Sequence, residues 1–177
     1  MIQTSRLLIR KFESKDYKQL YNLDSNPKVH EYLYNSPMKS YVESKEYIQA
    51  QLTQHKKYGV GRLAVLDKKN NFIGWVGLKF NDSMINNRTN FYDLGYRLNP
   101  NYWGRGIATE ASIAILDHYK KFKNIYGIAS VENILSSWIV FVLEYGNATE
   151  INFNFIPSGR ITVISSNGES SYFVEYE

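Results

Sequence analysis

The sequence predicts a single domain of the α+β class, an α/β sandwich, and three observations carry that expectation. The 177 residues suit one domain, and a chain of that length buries about 70% of its unfolded surface, enough for a core without staples. The hydrophobic period changes from helical to alternating near Gly61 and back to helical near Gly106. The order of elements is helices first, then an antiparallel meander, then strand, helix, strand, helix, strand.

Each element has a local reason. Leu7, Leu8 and Ile9 before Arg10 form a short strand, and Ser14 caps a helix that starts at Lys15 with Tyr17, Leu20, Tyr21 and Leu23 at helical spacing. Asn26-Pro27 starts a second helix, with proline at its first position. Ser40-Tyr41-Val42-Glu43 has the form of a capping box for a helix running to about Lys57. Gly61 to Leu66 and Phe72 to Phe80 make a hairpin across the polar turn Asp67 to Asn71. Asn81 to Asn90 is a loop, Phe91 to Leu98 a strand closed by Asn99-Pro100-Asn101, and Gly106 to about Lys121 a helix. Ile125 to Val131 is a strand and Asn133 to Tyr145 a helix. Ile151 to Ile156, Ile161 to Ile164 and Tyr172 to Tyr176 alternate as strands, with turns at Pro157-Ser158-Gly159 and Asn167-Gly168.

Composition removes several classes of function. With no cysteine there is no disulfide framework, no thiolate nucleophile and no cysteine-ligated metal. The net charge is +4, but Lys56-Lys57, Lys68-Lys69 and Lys120-Lys121-Lys123 lie far apart, so no DNA-binding stripe is expected. A mild positive field still favours a small anionic ligand. The longest uncharged apolar stretch, Ile134 to Leu143, is too short for a bilayer, and Arg6, Arg10 and Lys11 interrupt the N-terminal apolar run. No membrane association and a cytoplasmic location are the expectation. His30, His55 and His118 have lysines or acids nearby and read as surface residues, and no His/Asp/Glu spacing fits a metal site.

The run Leu98-Asn99-Pro100-Asn101-Tyr102-Trp103-Gly104-Arg105-Gly106-Ile107-Ala108-Thr109-Glu110-Ala111 carries the chemistry. A strand ends, a glycine turn follows and a helix starts at once. The first amides of a helix have no internal partner, and its dipole adds positive charge there. Such a turn suits a phosphate or pyrophosphate, or is simply a strand-to-helix connection whose glycines satisfy geometry.

This run resembles the acetyl-CoA pyrophosphate loop of the GNAT superfamily of N-acetyltransferases, whose signature is Arg/Gln-x-x-Gly-x-Gly/Ala. Trp103-Gly104-Arg105-Gly106-Ile107-Ala108 falls on it. Trp in the first position, Thr4-Ser5-Arg6-Leu7-Leu8-Ile9-Arg10 and Ile73-Gly74-Trp75-Val76-Gly77 are similar to the ribosomal-protein N-acetyltransferase (RimJ/RimL-like) branch. The resemblance implies a GNAT-type fold, a mostly antiparallel mixed sheet flanked by helices. It implies acetyl-CoA as co-substrate, with no metal, and direct transfer to an amine: a protein N-terminus or a small molecule. Amides from Gly104, Arg105, Gly106, Ile107, Ala108 and Thr109 would hold the pyrophosphate beside Trp103. The edge of Tyr96, Arg97 and Leu98 would pair with the pantetheine arm, and Asn133 and Ser136 would meet that arm from the other side. Asn133 also reads as a helix cap.

Asp93 corresponds to an acidic residue that the family often carries two positions before Gly95, and could take a proton from the amine. Equally, it could be a solvent-facing carboxylate paired with Arg88 or Arg97. From about residue 137 the chain departs from the family: Val140 stands where many relatives have a thiol-protonating tyrosine, leaving Ser136, Tyr145 or solvent as acid. A homodimer stays open, and so does a catalytically silent CoA-binding sensor or scaffold. An α-amine titrates near 7.7–8.0 and lysine near 10.4, so at pH 7 roughly a tenth of α-amines are neutral against well under a thousandth of lysines. A site with at most one carboxylate base therefore suits an α-amine or another low-pKa amine.

Overall fold

The computed structural model describes residues 1–31, 36–84, 89–122, 125–130, 161–166 and 169–176. They form an eight-stranded sheet in the order β1-β2-β3-β4-β5-β6-β8-β7. The strands are β1 (Ile2–Gln3), β2 (Leu7–Arg10), β3 (Arg62–Asp67), β4 (Phe72–Asn81), β5 (Phe91–Leu98), β6 (Ile125–Ser130), β7 (Ile161–Ser166) and β8 (Glu169–Tyr176). The helices are α1 (Tyr17–Asp24), α2 (Pro27–His30), α3 (Tyr41–Tyr58) and α4 (Ile107–His118). The sheet is antiparallel except where β5 meets β6 in parallel, and α4 is the crossover that a parallel pair needs. The expected helix Asn133 to Tyr145, the strand Ile151 to Ile156 and both turns of the last third lie outside the described residues.

Local chemistry sets the boundaries. Asn26 accepts from the Lys28 amide ahead of Pro27, and Ser40 accepts from the Glu43 amide while the Glu43 carboxylate reaches back to the Lys39 amide. The Asp67 carboxylate takes the amides of Lys69 and Asn71, which closes the β3–β4 turn. The expected helix from Gly106 to Lys121 ends instead at His118, where the Tyr119 amide bonds the Ile115 carbonyl and the backbone leaves helical geometry. The two-residue β1 was not expected: it has no alternating run of its own and exists by pairing with Leu8 and Ile9.

Period-2 alternation gives the sheet two apolar faces. Leu63, Val65, Val76 and Leu78 pack under α4 through Ala108, Ala111 and Ile115, where small residues let the helix lie close. Ala64, Leu66 and Trp75 pack with Leu20, Leu23 and Ile48 of α1 and α3. Two histidines expected at the surface are buried. The inward face of α3 is Ser44, Ile48, Gln51 and His55, spaced by four, three and four residues, so polar side chains occupy a core stripe. His30 of α2 is likewise buried, whereas His118 is exposed. Among the described residues no helix is long and apolar enough to cross a membrane.

Candidate active site

The site begins where the central strand loses one neighbour. β5 pairs along its whole length with β4, from Asn81↔Phe91 to Gly74↔Leu98. On its other side it pairs with β6 only at Tyr92, Asp93 and Leu94. Among the described residues, then, the β5–β6 ladder ends at Leu94, and the edge from Gly95 to Leu98 lies beyond it. An extended amide-bearing chain can add to such an edge as a strand would.

That edge leads into the glycine turn. Gly104 and Gly106 both have left-handed backbones, with φ of +69° and +68°. A side chain there would be strained by about 1–2 kcal/mol. Gly106 is the N-cap of α4 and offers no side-chain cap, and the first internal bond of the helix is from the Glu110 amide to the Gly106 carbonyl. The amides of Ile107, Ala108 and Thr109 precede that bond. The side chains of Ile107 and Ala108 are buried, which anchors the helix start, while Trp103 to Gly106 are exposed. Trp103 donates its indole N–H to the Leu98 carbonyl at 2.7 Å, tying the turn to the end of β5. The Arg105 guanidinium lies over the Tyr102 ring at 5.7 Å.

The opposite face of β5 holds a polar cluster. Arg62 of β3, itself buried, donates to the Gly77 and Asp93 carbonyls and pairs with the Asp93 carboxylate at 2.5 Å. Asp93 is therefore bound to Arg62, a partner the sequence reading did not name; Arg88 lies outside the described residues. Arg97 pairs at 2.9 Å with Asp24 of α1, which is fully buried. Its side chain is thus committed to α1, leaving only its backbone to the edge. Both guanidinium groups lie over the Trp75 ring, Arg62 at 5.3 Å and Arg97 at 5.0 Å from its centroid. Burial pushes the Asp24 carboxyl above its ordinary value, with Arg97 opposing. Burial likewise pushes up the nearby Tyr47 phenol, against the pull of Arg62.

Tyr96, Arg97, Leu98, Trp103, Gly104, Arg105, Gly106, Ile107, Ala108 and Thr109 thus follow one another along the edge, the turn and the helix start, with Asp93 just before them on β5. Asn133 and Ser136 lie outside the described residues. Sequence reasoning missed Arg62, Asp24 and Trp75 as members of the site. The available signal was Arg62, a lone charge within the apolar run Val60 to Leu66.

β5 thus runs past the end of its β6 ladder into a glycine turn and an uncapped helix start, and the family match puts the chain in the class of acyl-group transferases. The chain belongs to the GNAT acetyltransferase family: the model of the acetyltransferase (GNAT) domain matches residues 6–140. The uncharacterized N-acetyltransferase YnaD of Bacillus subtilis (strain 168) is 30% identical over 145 residues, 76% of each chain. Among solved structures, spermidine N-acetyltransferase from Vibrio cholerae, in complex with CoA and spermine, aligns with a TM-score of 0.67 at 21% identity, covering 97% of this chain and 95% of that one. RimL, a ribosomal-protein α-N-acetyltransferase in complex with coenzyme A, aligns with a TM-score of 0.72 at 14% identity, covering 97% and 93%. The protein is an N-acetyltransferase of the GNAT type.

Proposed function

We propose that this enzyme moves an acetyl group from acetyl-CoA directly to a primary amine of low pKa, a protein N-terminal α-amine or a small amine, in the manner of the RimJ/RimL-like branch. The observation that carries the reading is the glycine turn Gly104–Gly106 opening onto the uncapped first amides of α4, reached from the part of β5 that runs past the end of its β6 ladder. The pantetheine arm adds to the edge and the pyrophosphate occupies the amides of residues 104–109. The amine nitrogen attacks the thioester carbon, and backbone donors near the edge meet the developing oxyanion. The C–S bond then breaks, the amine proton passes to Asp93 directly or through water, and the departing thiolate takes a proton from solvent.

The α-amine assignment rests on the single carboxylate base in this scheme and on the motif run around Trp103. The structural likeness to RimL and to spermidine N-acetyltransferase is one of fold, so it favours neither acceptor over the other. The experiment is thiol release from acetyl-CoA with a panel of peptides with free N-termini, small α-amines, lysine side chains and polyamines. A clear preference for α-amines is the expected result; preference for polyamines or lysine would refute the assignment. Calorimetric titration with acetyl-CoA tests the donor half separately.

A further inference from the structure

The segment between β1 and β2 converges on the first turn of α4, about a hundred residues away in the chain. The Glu110 carboxylate accepts from the Thr4 hydroxyl, from the Ser5 hydroxyl at 3.1 Å, and from the Arg6 amide at 3.1 Å. Its second oxygen pairs with Arg6 Nε at 2.5 Å. Arg6 also donates from Nη1 to the Arg105 carbonyl at 2.7 Å, inside the glycine turn. One guanidinium therefore bridges the turn and the helix that the turn caps.

Two physical needs meet at this contact. A turn with two left-handed glycines is soft, because glycine has the most backbone freedom to lose. A Cβ on Gly104 would have nothing within 4 Å, so no packing stiffens the turn there. Its Arg105 carbonyl is instead fixed by Arg6. The second need is charge. Glu110 lies in the first turn of α4, where its negative charge suits the helix dipole but opposes a second anion on the same helix end. Hydrogen bonds from Thr4 and Arg6 hold its carboxyl below the ordinary value even though burial pushes the other way, so it is ionised at neutral pH. Arg6 cancels that charge and, with its side chain 49% exposed, remains within reach of solvent and ligand.

We propose that Arg6 is a positioning residue for the cofactor turn: it fixes the turn through the Arg105 carbonyl and neutralises Glu110 beside the bound pyrophosphate. This rests on the reading of the Gly104–Gly106 turn as the pyrophosphate site, and the test separates the two. CoA affinity is measured by calorimetry on the full chain for the parent, Arg6→Ala, Arg6→Lys, Arg6→Ala/Glu110→Gln and Gly106→Val, with fold checked by thermal melting. Arg6→Ala is expected to weaken CoA binding about tenfold, the scale of one charge-assisted hydrogen bond. Adding Glu110→Gln is expected to recover about threefold, because the uncompensated charge is gone; a purely structural brace would not be rescued by losing its second partner. Arg6→Lys keeps the charge and loses the fork, and is expected to bind about threefold more weakly than the parent, which keeps the proposal testable if the alanine variant unfolds. Unchanged affinity in Arg6→Ala or Arg6→Lys, with Gly106→Val defective, would overturn the role of Arg6 alone. A second substitution that deepens the loss would overturn the charge argument. Unchanged affinity in Gly106→Val would overturn the reading of the turn itself.

Discussion

Gly95→Ala is a small change with a large expected consequence, because of what lies above Gly95. A Cβ at this position would come within 2.7 Å of Arg62 Nη2 and 2.9 Å of its Cζ. The backbone of Gly95 is not left-handed, so alanine is tolerated conformationally and the cost is steric. Arg62 cannot simply swing aside. Its head is bonded to the Gly77 carbonyl, the Asp93 carbonyl and the Asp93 carboxylate, and is stacked on Trp75. Moving it breaks at least one buried bond to a charged group, worth about 1.5–3 kcal/mol each. A loss of about 3 kcal/mol in a domain of this size lowers Tm by about 6–12 °C. Differential scanning calorimetry on Gly95→Ala, Arg62→Ala and the double variant measures it. In the Arg62→Ala background the clash has no partner, so Gly95→Ala should cost under about 0.5 kcal/mol there. The same cost in both backgrounds, or a Tm within about 1 °C of the parent, would refute the packing argument.

Four further outcomes are expected. Asp93→Asn should lower kcat/KM by roughly 10²–10⁴ at pH 7, with the loss shrinking as pH rises and the amine deprotonates itself; a parent-like rate at pH 7 would assign Asp93 to structure alone. Gly104→Ala, whose Cβ would meet no neighbour, should cost about 1–2 kcal/mol in left-handed strain and shift the acetyl-CoA Kd upward by calorimetry. The lowered Glu110 pKa stabilises the fold above its unfolded value of about 4.3, and that stability is lost as pH falls through the folded value; Glu110→Gln should show a flatter acid limb in urea denaturation. The raised Asp24 pKa has the opposite sign: its contribution is complete below about 3.9 and is lost as pH rises through the folded value, a slope that Asp24→Asn should remove.

What was legible in the sequence is what local rules specify. The caps at Asn26 and Ser40, the turn at Asp67 and the strand from Phe91 to Leu98 are all written within a few residues of where they act. So is the glycine turn, since positive φ and an uncapped helix start are local properties. The polar cluster behind β5 is not local. Its members Asp24, Arg62, Trp75, Asp93 and Arg97 come from four elements, and no spacing rule joins them. The burial of His30 and His55 was hidden for a related reason. A helix face is defined by spacing, and a polar residue at a core spacing looks like a surface residue until the sheet packs against it. The contacts from Thr4, Ser5 and Arg6 onto Glu110 join parts of the chain more than a hundred residues apart and have no short-range signature.

The two halves of the site solve one mechanical problem. A strand proposed to accept a cofactor along one edge gives up its neighbouring strand there, and a strand end with a ladder on one side only needs other ties to hold it. β5 gives up β6 after Leu94 but keeps β4 to its last residue, and the Asn99 amide extends the ladder to the Ile73 carbonyl at 2.9 Å. Trp103 holds the Leu98 carbonyl at the strand's end. From the sheet face opposite α4, Arg62 joins β4 to β5 through two carbonyls, and Arg97 is held to α1 by Asp24. Buried ion pairs gain little net stability against an apolar alternative of the same volume, since desolvation offsets most of the attraction. Their presence along β5, at and beyond the end of its β6 ladder, is better explained by position than by stability. Arg62 holds β5 at Asp93, beside the end of the β6 ladder, and Arg97 holds the strand beyond that end.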